Sequence, residues 1–188
     1  LLPQSDALNP VSAPLSNYAL TPAGWLFNVA VCGLITGLIC LLAAAVAAGE
    51  VPLPSLTTIV TVGCCLALAV VVAFPDRTLP DGTLTVGARV HWSAAMVAFA
   101  GLPVLPITLA RAHPPQLHCS RLPRLAGWVS ASATLWFTAL LGGSVLRFTK
   151  QLSLWHVGGA VERGLAATEI AAAVLLAIWI RRGRCHRD

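Results

Sequence analysis

Charged residues are scarce in this sequence. Only 10% of its 188 residues are Asp, Glu, Lys or Arg, whereas 57% are apolar, and the mean hydropathy is +0.80. A soluble domain carries about 25% charged residues, so the composition excludes an ordinary soluble domain. It also excludes a disordered chain, which needs charge to stay solvated. The net charge of +5 does not indicate a nucleic-acid partner, because the basic residues lie between and after long apolar runs.

Five apolar stretches are long enough to cross a hydrocarbon core of about 30 Å, which takes about 20 helical residues. They cover residues 24–48, 54–74, 87–110, 125–147 and 159–180. Inside lipid every backbone polar group needs a partner within the protein, and runs this long meet that demand as helices. The sequence therefore predicts an all-α transmembrane bundle of five helices at residues 24–180. It is preceded by a segment at 1–23 and followed by a basic tail at 181–188.

The orientation follows from the Lys and Arg residues in alternate connectors. One set of connectors, which includes the C-terminal tail, holds seven of them, and the other set holds five. Four Arg residues lie within the last eight positions, and cytoplasmic segments are enriched in Lys and Arg. We therefore expect a multi-pass protein of the cell membrane with a cytoplasmic C-terminus and an extracytoplasmic N-terminal segment.

Several short motifs occur in order along the chain. They are Asn9-Pro10-Val11-Ser12, Leu15-Ser16-Asn17-Tyr18-Ala19-Leu20, Gly24-Trp25-Leu26-Phe27, Ala73-Phe74-Pro75-Asp76 with Gly87 and His91, and Glu162-Arg163-Gly164 with Glu169. Together they resemble the domain of unknown function 998 family, multi-pass membrane proteins that are common in actinobacteria. The resemblance implies six helices in the whole protein, the first of them before the serine motif, and it implies no reaction. Relatives often carry an acidic residue where this chain has Asn17.

One acidic residue lies deep inside a predicted membrane helix. Glu169 falls near the middle of the last stretch, and Glu162, seven residues earlier, lies on the same helical face. Ionisable groups inside a membrane are costly and therefore indicate function. Glu169 is a candidate for proton relay, cation binding or acid–base chemistry. The alternative is a neutral carboxyl group that bonds neighbouring helices together.

A second group of polar residues gathers at helix ends and loops that the predicted topology places on one side of the membrane. This polar set comprises Ser16, Asn17, Tyr18, Asp76, Arg77, Asp81, Arg89, His91, Glu162 and Arg163. His91 lies about one turn into its helix, where an imidazole can bind a lipid headgroup, move protons or bind a metal. The alternative is an ion-pair network that fixes the loops.

Two further features concern helix shape. Pro103 and Pro106 lie inside the third stretch, where each removes a backbone hydrogen bond and is expected to kink the helix. Gly33 and Gly37 form a small-xxx-small motif that predicts close helix packing.

The sequence predicts no cofactor. Only His91 lies clearly within a predicted helix, which argues against a haem group held by two histidines. The cysteine and histidine residues match no zinc-site spacing, and no phosphate-binding loop or hydrolase motif is present. The predicted partners are the lipid bilayer, other membrane subunits or a hydrophobic small molecule, with no nucleic acid.

Two functional hypotheses follow. The first is a non-catalytic membrane protein, either an accessory subunit or a binder of lipid or another hydrophobic molecule. The second is a membrane enzyme or carrier that acts on a lipid-soluble substrate through Glu169 and the cluster around His91 and Glu162. A cavity shared by Glu169 and His91 would favour the second hypothesis.

Overall fold

The computed structural model describes residues 9–77, 79, 83–112, 121–148 and 158–184. Within these residues a short 3-10 helix at Leu15–Leu20 precedes six α-helices. These are α1 (Gly24–Ala47), α2 (Leu56–Ala73), α3 (Val86–Gly101), α4 (Val104–Ala112), α5 (Arg121–Phe148) and α6 (Gly158–Arg184). Among the described residues, five stretches are long and apolar enough to cross a membrane, with α3 and α4 together forming the third. The predicted all-α bundle with five membrane spans is confirmed.

Local sequence signals set several helix ends. The Ser55 side chain accepts a hydrogen bond from the Thr58 backbone N–H at 3.2 Å and caps α2, and Thr85 caps α3 in the same way through Ala88, at 3.1 Å. Such caps satisfy backbone donors that have no partner within the helix. Helix α1 ends at Ala47, and Gly49 follows two residues later with a φ of 73°, in the left-handed region that glycine tolerates best.

The third span is divided into two helices at the predicted proline site. Helix α3 ends at Gly101, and α4 begins at Val104, with Leu102 and Pro103 in the turn between them. Pro103 thus lies just before α4 and Pro106 lies in its first turn, where a missing backbone N–H costs little. The break also brings Thr108 of α4 to α2, where its hydroxyl oxygen accepts a hydrogen bond from the Thr57 hydroxyl at 3.0 Å.

Two helices extend beyond the predicted apolar stretches. Helix α5 begins at Arg121, four residues earlier than predicted, and α6 continues to Arg184. The first four residues of the predicted basic tail are therefore helical, and 185–188 lie outside the described residues.

Most helices pack against their neighbours in the sequence, with α5 against α6, α2 against α3 and α4 against α5. Three apolar clusters of described residues lie in the interior. One joins α1, α4, α5 and α6 around Leu105, Leu109 and Leu176. A second joins α1, α2 and α3 around Cys64 and Leu68, and a third joins α3, α5 and α6 around Leu165.

The N-terminal segment, residues 9–23, packs on the bundle against α1 and α6. We call this side of the bundle the N-terminal side. It also holds the end of α2 and the starts of α3 and α6, because successive spans alternate in direction. The predicted close packing at Gly33 and Gly37 is absent within the described chain, since no atom lies within 4 Å of a Cβ built at either position.

Candidate functional site

Glu162 fixes the N-terminal segment to α6. Its Oε2 atom accepts a hydrogen bond of 2.8 Å from the Leu15 backbone N–H, at the start of the 3-10 helix. That N–H has no partner within its own helix, so a carboxylate is well suited to satisfy it. The Ala160 N–H adds a backbone bond of 2.9 Å to the Val11 carbonyl. The carboxylate of Glu162 is thus engaged in holding two parts of the chain together.

Arg163 makes a second attachment of the same segment. Its Nη1 donates to the carbonyl groups of Pro10, Ala13 and Gly159, the last two at 2.9 and 2.8 Å. The guanidinium carbon lies 5.5 Å from the centre of the Tyr18 ring, within the range of a cation–π interaction. The other terminal nitrogen, Nη2, is buried and makes no hydrogen bond within the described chain.

Gly159 allows the segment to approach α6 this closely. A Cβ atom at this position would overlap the backbone carbonyl of Ala13. Backbone atoms cannot move aside as a flexible side chain can, so only glycine permits this contact.

His91 is buried at the end of α2, with 4% of its surface exposed. Its Nδ1 lies 2.7 Å from the Phe74 carbonyl oxygen and 3.1 Å from the Val71 carbonyl oxygen. Both partners are acceptors, so Nδ1 carries the proton and donates it. His91 therefore caps carbonyl groups that have no partner within α2.

Asp76 is held by a neighbouring indole. Its Oδ2 accepts a hydrogen bond of 3.1 Å from Nε1 of Trp92, one residue beyond His91. Its Oδ1 is buried and has no hydrogen-bond partner within the described chain. The negative charge of Asp76 also acts on Glu162, so these two carboxylates belong to one electrostatic cluster.

Ser16, His91 and Glu162 line one small cavity beneath the N-terminal segment. Its volume is about 20 Å³, and apolar side chains such as Met96 and Phe99 form the rest of its wall. That volume is enough for about one water molecule and too small for a substrate. Glu169 does not line this cavity.

The remaining members of the polar set do not join this cluster. Arg77 and Arg89 are exposed, Asn17 is half-buried, and Asp81 lies outside the described residues. Among the described residues no group of three His, Cys, Asp or Glu side chains could hold a metal ion. The structure thus brings together Ser16, Tyr18, Asp76, His91, Glu162 and Arg163, whereas the exposed side chains of Arg77 and Arg89 do not line the small cavity.

Glu169 lies in the bundle interior with 8% of its surface exposed. Its Oε1 is fully buried and makes no hydrogen bond within the described chain. Its carboxyl group is close enough to the Cys64 thiol on α2 for an electrostatic interaction. That thiol itself donates to the Ala98 carbonyl on α3 at 3.7 Å, so it gives Glu169 no hydrogen.

Arg89 lines an open groove between α2 and α3. The groove has a volume of about 450 Å³, and its walls are apolar except for Arg89 and Ser93. The other lining residues are Ala67, Val70, Val86, Val90, Ala94 and Val97. Sequence reasoning missed this groove, because its walls come from two helices and its apolar residues resemble any lipid-facing surface.

A family model described as a protein of unknown function (DUF998) matches residues 3–179. The chain belongs to the DUF998 family. No curated protein and no solved structure matches it. The matched region of this DUF998 protein includes the N-terminal segment, the first four membrane spans, the fifth span up to residue 179, Glu169 and the clustered residues. The resemblance given by the short motifs is confirmed, and the protein is an integral membrane protein.

Several contacts at this site were not predicted. Trp92 as the donor to Asp76 and Gly159 beneath Ala13 both join residues far apart in the chain. The adjacent glycines Gly158 and Gly159 were the one available signal, since a residue without a side chain lets another backbone approach closely.

Proposed function

We propose that this protein is a non-catalytic, lipid-binding membrane protein whose ligand is an anionic phospholipid in the groove between α2 and α3. The observation that carries the proposal is the groove itself, which has apolar walls and Arg89 near one end. The positive guanidinium complements a lipid phosphate, and the apolar walls complement an acyl chain.

The dimensions of the groove support this ligand. From Val86 to Val97, α3 rises about 16 Å, which is about half of a 30 Å hydrocarbon core. The length of the groove along the helix therefore matches the hydrocarbon thickness of one leaflet. Arg89 lies in the first turn of α3, where the helix dipole is also positive and no acidic residue is present.

The polar set gives the enzyme or carrier alternative less support. Glu162, Arg163 and His91 use their hydrogen bonds to hold the N-terminal segment and the end of α2. The cavity that they share with Ser16 has the volume of one water molecule and excludes Glu169. These contacts favour a structural role for the cluster.

Native mass spectrometry of purified protein with added lipid tests the proposal. We expect more bound phosphatidylglycerol than phosphatidylcholine at equal concentration. Arg89→Gln should weaken phosphatidylglycerol binding about fivefold, because one arginine near a membrane surface contributes about 1 kcal/mol. Ser93→Phe should weaken binding of both lipids, since Ser93 is exposed within the groove and an aromatic ring would fill it.

Arg77→Gln is the matched control. Arg77 is an exposed arginine on the same side of the bundle that does not line the groove. Equal binding of the two lipids, or equal losses in Arg77→Gln and Arg89→Gln, would rule out the groove as the site.

We also infer that the protein lies in the cell membrane with its C-terminus in the cytoplasm. Arg181 and Arg182 are exposed in the last turns of α6, on the side opposite the N-terminal segment, as the positive-inside rule requires of a cytoplasmic end. In a cysteine-free background, Asn9→Cys should react with an impermeant thiol reagent in intact cells. Asp188→Cys should react only after permeabilisation, and the reverse pattern would invert the topology.

A further inference from the structure

We infer that Glu169 is a proton-binding site in the membrane interior, a neutral carboxyl group that exchanges its proton through a bound water molecule. The inference is independent of the lipid groove, which Glu169 does not line. Three observations carry it, namely the depth of the residue, its unsatisfied oxygen and an unsatisfied hydroxyl group on α5 at about the same depth.

Glu169 lies at the middle of its span. It follows Gly158 by eleven residues in the Gly158–Arg182 span, which places it about 16 Å along a helix that must cross about 30 Å. An ionised carboxylate at this depth needs a cationic partner. Every described Lys and Arg lies outside the helices or within about two turns of a helix end, so none in this part of the chain is available at this level.

The carboxyl group is therefore neutral, since a buried carboxyl without a charged partner takes up a proton. A neutral carboxyl that tied helices together would be expected to use its buried oxygens in hydrogen bonds to them. Instead, Oε1 is buried and has no partner in the described chain. This oxygen can therefore still accept a hydrogen bond from a ligand.

The hydroxyl group of Ser130 on α5 is also fully buried and has no hydrogen-bond partner among the described residues. Helices α5 and α6 are antiparallel neighbours, with Trp136 beside Gly164. Ser130 is therefore level with α6 within about one turn of Glu169. Two unsatisfied polar groups at one depth suit a buried water molecule, which bonds to otherwise unpaired groups.

Infrared spectroscopy of the whole protein in lipid tests this inference. The wild type should show the carbonyl band of a protonated carboxylic acid, and the band should shift in D₂O. Glu169→Gln should remove the band, whereas Glu162→Gln should retain it, because the Glu162 carboxylate accepts the Leu15 N–H. A band that stays at full intensity in Glu169→Gln would show that another carboxyl group produces it and that Glu169 contributes none, and a band insensitive to D₂O would show a group sealed from exchange. Either result would overturn the inference.

A second measurement needs no variant. Dicyclohexylcarbodiimide, which enters lipid, reacts with protonated carboxyl groups. The carboxyl oxygen bonds to the central carbon of the reagent while the proton moves to a reagent nitrogen, and acyl transfer to nitrogen then gives a stable N-acylurea without a leaving group. We expect a mass gain of one reagent on the peptide that contains Glu169 and none on the Glu162 peptide. Labelling of Glu162 alone would contradict the inference. Loss of lipid binding in Arg89→Gln leaves this labelling unchanged, so the two proposals fail separately.

Discussion

Removing the Glu162 carboxylate should release the start of the N-terminal segment. In Glu162→Ala the Leu15 N–H loses its 2.8 Å acceptor and has no alternative within its own helix. A hydrogen bond to a charged group is worth about 1.5–3 kcal/mol. At about 1.4 kcal/mol per factor of ten, hydrogen exchange of the Leu15 amide should accelerate about 10- to 100-fold. Exchange at Leu15, followed by mass spectrometry of overlapping peptides, measures this directly.

The effect should remain local. Arg163 still bonds the Ala13 carbonyl, and the Ala160 N–H still bonds Val11, so the segment stays attached at its other contacts. Glu162→Gln is the matched variant, because its amide oxygen can accept the same hydrogen, and it should retain most of the protection. Unchanged exchange at Leu15 in Glu162→Ala would refute the argument that this carboxylate fixes the segment.

Two further predictions concern packing. His91→Ala should lower stability by about 2 kcal/mol, because it leaves the carbonyls at the end of α2 without a donor. His91→Asn should lose less stability, because its amide nitrogen lies where Nδ1 does. Thermal unfolding in detergent measures both losses, and equal losses would show that the hydrogen bond is unimportant. Gly164→Ala should destabilise by about 1–3 kcal/mol, because its Cβ would overlap the Trp136 ring. Gly142→Ala, at an exposed position of α5, is its control. It should stabilise the protein by up to about 1 kcal/mol, since no atom lies within 4 Å of a Cβ built there. Equal unfolding temperatures for the two variants would refute the close packing of Gly164 against Trp136.

Much of the fold could be predicted because hydrophobicity and local capping act over short distances. A run of about 20 apolar residues must form a helix in lipid, whatever its neighbours are. Ser55 and Thr85 mark helix starts through bonds to residues three positions away. Pro103 likewise marks the break between α3 and α4, because its ring removes a backbone donor wherever the helix packs.

The candidate site was predicted in part. Glu162, Arg163 and His91 were singled out as polar residues near helix ends, and the structure brings them together. Their hydrogen bonds could not be predicted, since the bond from Leu15 to Glu162 joins residues 147 positions apart. Functional roles for these residues, and membrane subunits as partners, stay predictions.

The sequence by itself determined that this chain is a membrane-spanning helical bundle, where its spans lie and that Glu169 is an isolated acid among apolar residues. These properties follow from the cost of placing polar groups in lipid, which depends on each residue and its near neighbours. Only the tertiary structure decided that Glu169 has an unsatisfied oxygen, that Arg89 borders a groove and that Glu162 holds the N-terminal segment. Each of these depends on which helix faces which, and that choice is made by packing between residues distant in the chain.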